Sequence, residues 1–290
     1  MGRFLLLIIV FALFLLPSCD IINPAEEIPS YVAVDTVRIV TDAATEGSRS
    51  HNISDNWLYV NGKLIGVFEV PFSVPVLETG FQNIQIEPGI KNSGGDADRD
   101  IYPMMYGYYV DTFLVAGQIL TLSPIFTYRP ATFDLIEDFE DIGISFGIST
   151  ESDTNINLVN NSNSLEGNSM YFCVDDTRPN FECRSTDLFD ITRDGPAYLE
   201  IDFKSNDYFS FGLFSREYNG VSLSEVRIPV YTFNPTNEWK KVYIDLSYFV
   251  NQSEGMDFRL FFTCVRQENP TAEKTEVYID NIKLISLPSK

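Results

Sequence analysis

The feature that most constrains this chain is a period-two alternation of apolar and polar residues. It recurs in short runs bounded by Asn, Asp, Gly, Ser and Pro. In YLEIDF, Leu199, Ile201 and Phe203 fall on one side and Glu200 and Asp202 on the other. In WKKVYIDL, Val242, Ile244 and Leu246 oppose Tyr243 and Asp245, and in DFRLFF, Phe258, Leu260 and Phe262 oppose Arg259. Successive side chains of a strand point to opposite faces, so such runs form sheets with one apolar and one wet face. Helical periodicity is almost absent. The expected fold class is all-β, with antiparallel sheets packed as sandwiches. Between WLYV and KLIGVF, Asn61-Gly62 predicts a tight hairpin, because both residues tolerate positive φ. With 23 Phe and 15 Tyr in 290 residues, a large core can be buried.

The formal net charge is −21. Nucleic-acid binding depends on clustered Lys and Arg, so that class of partner is excluded. Of the four cysteines, Cys173 and Cys183 are expected to bridge across a loop, and Cys264, in the apolar run FRLFFTC, is expected to be a core residue. Nothing resembles a Cys-x-x-Cys motif, so redox chemistry and structural zinc are not expected. The sole histidine, His51, lies in a Ser/Asn-rich loop. A Ser-His-Asp or Cys-His site would have to use it, and no G-x-S-x-G is present. No enzymatic activity is expected; a two-carboxylate glycosidase needs no His and stays as the remaining enzymatic route.

The first twenty residues read MGRFLLLIIVFALFLLPSCD. Arg3 precedes the apolar run Phe4 to Leu16, which has the length of a signal-peptide core and is shorter than a membrane span. Leu16-Pro17-Ser18-Cys19 resembles the lipobox of bacterial lipoproteins. That resemblance implies diacylglycerol on the Cys19 thiol, cleavage after Ser18, and acylation of the new amine with a palmitate-type chain. Asp20 and the Glu26-Glu27 pair resemble the acidic export tether of Bacteroidota surface lipoproteins. The expected location is the cell surface, anchored in the outer membrane; its periplasmic face and the inner membrane are the alternatives.

Five segments are expected: a signal peptide at 1–18, a lipidated tether at 19–30, a β-sandwich at 31–128, a linker at 129–132 (Arg129-Pro130-Ala131-Thr132) and a second β domain at 133–290. In the first sandwich, Asn61, Gly62, Gly66, Pro71 and Gly80 resemble the scheme of PEGA-type or carboxypeptidase-regulatory-like modules, which implies a non-catalytic, Ig-like envelope scaffold. In the second, DFEDIG, NEWKKVYIDLS and VYIDNIKLI resemble the galactose-binding-like jelly rolls of carbohydrate-binding modules.

From that second resemblance, Glu140 and Asp280 are the residues expected to hold a structural Ca²⁺, the one cofactor considered; the bland reading is an acidic strand edge. Asp96, Asp98 and Asp100 copy part of an EF-hand spacing, but Ile101 stands where its Gly belongs, so a polar loop is expected. Tyr208, Tyr218, Tyr231 and Trp239 are the aromatics expected to stack on sugar rings, with Tyr102, Tyr106, Tyr108 and Tyr109 as a second group. Core packing is the competing reading for each. Asp35-Thr36-Val37 resembles a short O-glycosylation motif. The leading expectation is a non-enzymatic accessory or scaffold subunit of an outer-membrane complex, touching the membrane through its lipid and binding outer-membrane proteins. The alternative is a surface glycan-binding lipoprotein.

Overall fold

The computed structural model describes residues 26–95, 97–268, 270 and 272–288. The apolar run, Cys19, Asp20, Asp96 and most of the tether lie outside the described residues. The first ten strands are β1 (Ser30–Val34), β2 (Arg38–Val40), β3 (Asp55–Val60), β4 (Lys63–Glu69), β5 (Phe72–Val76), β6 (Gly80–Lys91), β7 (Arg99–Ile101), β8 (Tyr108–Leu114), β9 (Ile119–Leu122) and β10 (Ile125–Thr127). They are followed by β11 (Thr132–Glu137), β12 (Phe146–Ile148), β13 (Asn157–Val159), β14 (Ser169–Val174), β15 (Asn180–Ser185), β16 (Ala197–Ser205), β17 (Phe209–Tyr218), β18 (Leu223–Phe233) and β19 (Thr236–Asp245). A short helix α1 (Ser247–Gln252) and strands β20 (Phe258–Val265) and β21 (Thr275–Ser286) complete the chain.

In the first body, β6 is the spine. It pairs antiparallel with β3 on one side and with β8 and β7 on the other, while β4 extends β3. The hairpin forms where expected, with Asn61 at φ 50° and Gly62 at φ 75°. Against this sheet lie the trio β5-β1-β9 and the pair β2-β10, both of which include parallel pairings. The apolar-rich stretch from Val32 to Thr41 is divided between β1 and β2, and residues 102–107 precede β8 outside any strand. Tyr102, Met104 and Met105 are fully buried, inside the shared apolar cluster that joins the two bodies.

The second body is an antiparallel sandwich. One sheet has the order β13-β14-β21-β16-β19, with β11 also on β21; the other has the order β12-β15-β20-β17-β18. The chain passes repeatedly from one sheet to the other, as in a jelly roll. Their facing sides bury Phe172, Phe181, Leu199, Ile201, Phe211, Phe262 and Ile279 in one core.

The alternation is observed, but the expected wet face of β16, β19 and β21 is buried. Tyr198, Tyr243 and Ile285 join the apolar cluster of the first body. Glu200, Asp202, Lys241 and Lys283 lie beside them, each under 5% exposed. Glu200 accepts hydrogen bonds from Tyr102 (2.6 Å) and Tyr128 (2.7 Å), and Lys241 reaches Asp202 at 3.2 Å and Glu200 at 3.7 Å. Lys283 donates to the Tyr128 hydroxyl at 3.2 Å. Buried charges are costly unless they are paired and hydrogen-bonded. Lys241 is paired with Asp202 and Glu200, and Lys283 is hydrogen-bonded to the Tyr128 hydroxyl and the Ser48 carbonyl. The polar face is therefore a junction between the two bodies.

The 91–98 loop reinforces this junction. Ser93 N donates to Tyr243 O at 2.8 Å, and Lys240 Nζ donates to Gly94 O at 3.1 Å. Within it Asp98 accepts from the Asn92 amide at 3.1 Å, and Asp100, on β7, accepts from Ile101 N at 2.7 Å.

Candidate functional site

The expected aromatic set does not converge. Tyr208 precedes β17 and Tyr218 ends it, so a ten-residue strand separates these two exposed rings, roughly 30 Å. Tyr231 packs against the core of the second body, its hydroxyl donating to Ser93 O at 2.5 Å. Trp239 is half-buried and donates from Nε1 to Asn163 O at 3.0 Å. Of the second group, Tyr102 is fully buried, Tyr109 donates to Glu87 at 2.7 Å, and Tyr106 stays exposed.

The open face of the β12-β15-β20-β17-β18 sheet is no aromatic platform either. Phe214 and Phe261 point outward yet are 6% and 1% exposed, because arginines cover them. The guanidinium of Arg184 lies 4.1 Å from the Phe214 centroid and that of Arg227 4.1 Å from the Phe261 centroid. Glu182 beneath them binds both arginines. Burial alone would raise the Glu182 carboxyl, but the two ion pairs outweigh it and hold its pKa below the usual value. Gly212 makes room, since a β-carbon there would stand 2.4 Å from Phe261 Cζ.

The two residues expected to hold calcium, Glu140 and Asp280, both brace the 166–169 loop. Glu140 accepts from Asn168 N and from its side-chain amide. Asp280 accepts from Ser169 Oγ at 2.8 Å, Asn281 N at 2.8 Å and Glu166 N at 3.4 Å. Burial pushes the Asp280 carboxyl up to about 7. Among the described residues no three His, Cys, Asp or Glu side chains gather into a metal site.

The bridge expected between Cys173 and Cys183 is not formed; both are free thiols, as is Cys264. Cys173 pairs with Glu276 in one sheet and Cys183 with Phe262 in the other, so the two belong to opposite layers. His51 is half-buried at the junction, where burial and then Lys241 lower its pKa.

The structure instead opens a cleft of about 790 Å³ where the two bodies meet. One wall comes from the first body: Asp100, Ile101, Pro103, Tyr106, Arg129 and Pro130. It is held by hydrogen bonds from Tyr106 N to Thr127 O (2.9 Å) and from Arg129 N to Met104 O (2.8 Å). The Arg129 guanidinium, anchored on Met105 O at 2.8 Å, lies 5.1 Å from the Tyr106 ring centroid. The other wall is the turn Asp194-Gly195-Pro196 with Leu287 and Pro288. Leu287 N donates to Pro196 O at 3.0 Å, and Asp194 N donates to Asn251 Oδ1 at 2.9 Å. Gly195 is required by crowding, because a β-carbon there would stand 2.2 Å from Leu287 O.

The cleft thus combines one accessible aromatic ring, flat proline surfaces, two carboxylates and a fixed guanidinium. Concave, mostly apolar sites with a few converging polar groups, placed between domains, are where small ligands bind. Of the aromatics expected from sequence only Tyr106 belongs to it, and of the acids in the partial EF-hand spacing Asp100 does. Arg129 and Pro130 stand in it too, although they read as a linker.

No protein family and no curated protein matches the chain. Solved structures similar to it include a xylan-binding module of family 22 from Paenibacillus barcinonensis, 10% identical, covering 56% of this chain and 99% of that one, with a TM-score of 0.40. A family 11 carbohydrate-binding module from Clostridium thermocellum, in complex with a β-1,3-1,4-mixed-linked tetrasaccharide, is 16% identical over 53% of this chain and 95% of that one, with a TM-score of 0.38. A family 29 module in complex with mannohexaose is 13% identical over 55% and 94%, with a TM-score of 0.34. Likeness of this degree says nothing of what this chain binds.

Proposed function

We propose that this chain is a lipid-anchored, non-catalytic glycan-binding protein of the cell envelope, and that it takes its ligand in the cleft between its two β bodies. The observation that carries this reading is the pairing of exposed Tyr106 with Arg129, Asp100 and Asp194 in one concave site. A pyranose ring has an apolar face that packs on an aromatic ring and a rim of hydroxyls that carboxylates and guanidinium groups bind. The junction of the two bodies fixes both walls, so little ordering accompanies binding. The leading expectation from sequence is accessory-subunit action; the cleft favours the glycan reading over it.

The test is binding of the full lipoprotein, in detergent, to xylan, mixed-linkage β-glucan, mannan and polygalacturonate. Capture of at least one of these is expected, with loss of at least tenfold in affinity for Tyr106→Ala and little change for Arg227→Ala on the open sheet face. Failure to bind any of the four ends the glycan reading. Loss confined to Arg227→Ala moves the site to the sheet. Release of shortened sugars during the assay would overturn the non-catalytic part. Mass spectrometry of the mature N-terminus tests the anchor, with an acylated Cys19 expected.

A further inference from the structure

Six large apolar side chains crowd the end of the first body where the described chain begins. Ile28, Leu77, Phe81, Phe113, Val115 and Ile119 are each between 44% and 69% exposed. Pairing brings them to one rim. Phe81 on β6 faces Phe113 on β8, and Ile119 stands opposite Tyr31. Gly117 N donates to Pro29 O at 2.8 Å, and Ser30 Oγ to Glu78 O at 3.0 Å, which ties Ile28 and Leu77 to the same end. A monomer in water rarely gathers so many exposed apolar groups in one place without a use for them.

Polarity is graded along β6 and β8. On the outward face the Phe81–Phe113 pair is followed by Asn83–Asp111 and then by Gln85–Tyr109. Beyond these, β6 leads to Asn92, which bridges to Tyr243 of the second body about 35 Å from Phe81. The rim and the glycan cleft therefore lie toward opposite ends of the first body.

We infer that this rim dips into the lipid surface beside the anchor and holds the cleft away from the membrane. The inference rests on the anchor part of the proposed function. Glu26 lies seven residues along from Cys19, a reach of at most ~25 Å when extended, so an acylated Cys19 keeps the rim at the bilayer. Apolar groups in the headgroup region add to acyl chains as a second attachment. Glu26, Glu27 and Glu78 near the rim favour uncharged over anionic lipid.

The test places the full lipoprotein carrying Phe113→Trp in phosphatidylcholine vesicles with brominated acyl chains. Emission from Trp57 and Trp239 is subtracted using the parent protein. Most of the added emission is expected to be quenched and shifted to the blue, and adding Phe81→Ser and Ile119→Ser is expected to abolish the quenching while the protein stays on the vesicles. Unquenched emission with an acylated Cys19 overturns the rim contact and leaves the anchor standing. Two chains per particle with unquenched emission would assign the rim to a second copy, also against the inference. An unacylated Cys19 overturns rim and anchor together, since nothing then holds this end at a bilayer.

Discussion

At the scale of single residues, burial sets charge and space. Burial raises the Asp280 carboxyl from 3.8 to about 7, so the folded protein holds that proton more tightly than the unfolded chain does. The stability this contributes is complete below the unfolded value and is lost as pH rises toward 7. Lys283 is the opposite case, its ammonium lowered by burial from 10.5 to about 8. The cost of burying it is complete below 8 and is relieved as pH rises through 10.5. The urea midpoint is therefore expected to be lowest between about pH 7 and 8 and higher at pH 5 and pH 10. Asp280→Asn should flatten the acid side of that profile; an unchanged profile would contradict the assignment. Gly195 is a matter of space alone. Gly195→Ala pushes a β-carbon into Leu287 O, and overpacking of this kind costs about 1–3 kcal/mol. Chemical denaturation should show that loss, and sugar binding should weaken with it because Gly195 forms one wall of the cleft.

At the scale of elements, the sheet containing β15, β17, β18 and β20 shows how one open face is closed without a covering layer. Phe214 and Phe261 are shielded by guanidinium planes that Glu182 holds in place. Arg227→Ala removes one of the two ion pairs of a carboxylate that is only 4% exposed. A hydrogen bond to a charged group contributes about 1.5–3 kcal/mol, and a loss in that range is expected from urea unfolding at pH 7. The Glu182 pKa is held low in the folded protein, so its contribution is present above the unfolded value and fades as pH falls through the folded one. Without Arg227 that fading should begin at a higher pH, which unfolding between pH 3 and pH 6 will read. The exposed Phe rings of the variant would also bind a hydrophobic dye more strongly than the parent does.

At the scale of the whole molecule, the two bodies are joined by a face that is polar in sequence and buried in space. Lys241→Met would leave Asp202 and Glu200 under the first body without their nearest cation. Breaking a buried pair by removing one partner costs about 3–5 kcal/mol, and calorimetry should show that loss, with the single transition splitting toward two. Much of this architecture was legible beforehand. The alternation in YLEIDF, WKKVYIDL and DFRLFF fixed strands and their core-facing sides, and Asn61-Gly62 fixed a hairpin, because both signals depend on local backbone geometry. Glu200 and Asp202 read as solvent-facing because alternation reports that two faces differ and says nothing of what covers the second. Arg129 and Pro130 read as a linker for the same reason: the turn at Gly195 and the Leu287-Pro288 segment that complete the cleft come from far along the chain. Cys173 and Cys183 are close in sequence but were assigned by pairing to opposite sheets. What the sequence determined by itself was therefore period, turn and core, each set by neighbours a few residues apart. Only the tertiary structure decided which polar face became a junction and which aromatic stayed open to a ligand, because both depend on docking between segments separated by a hundred residues or so.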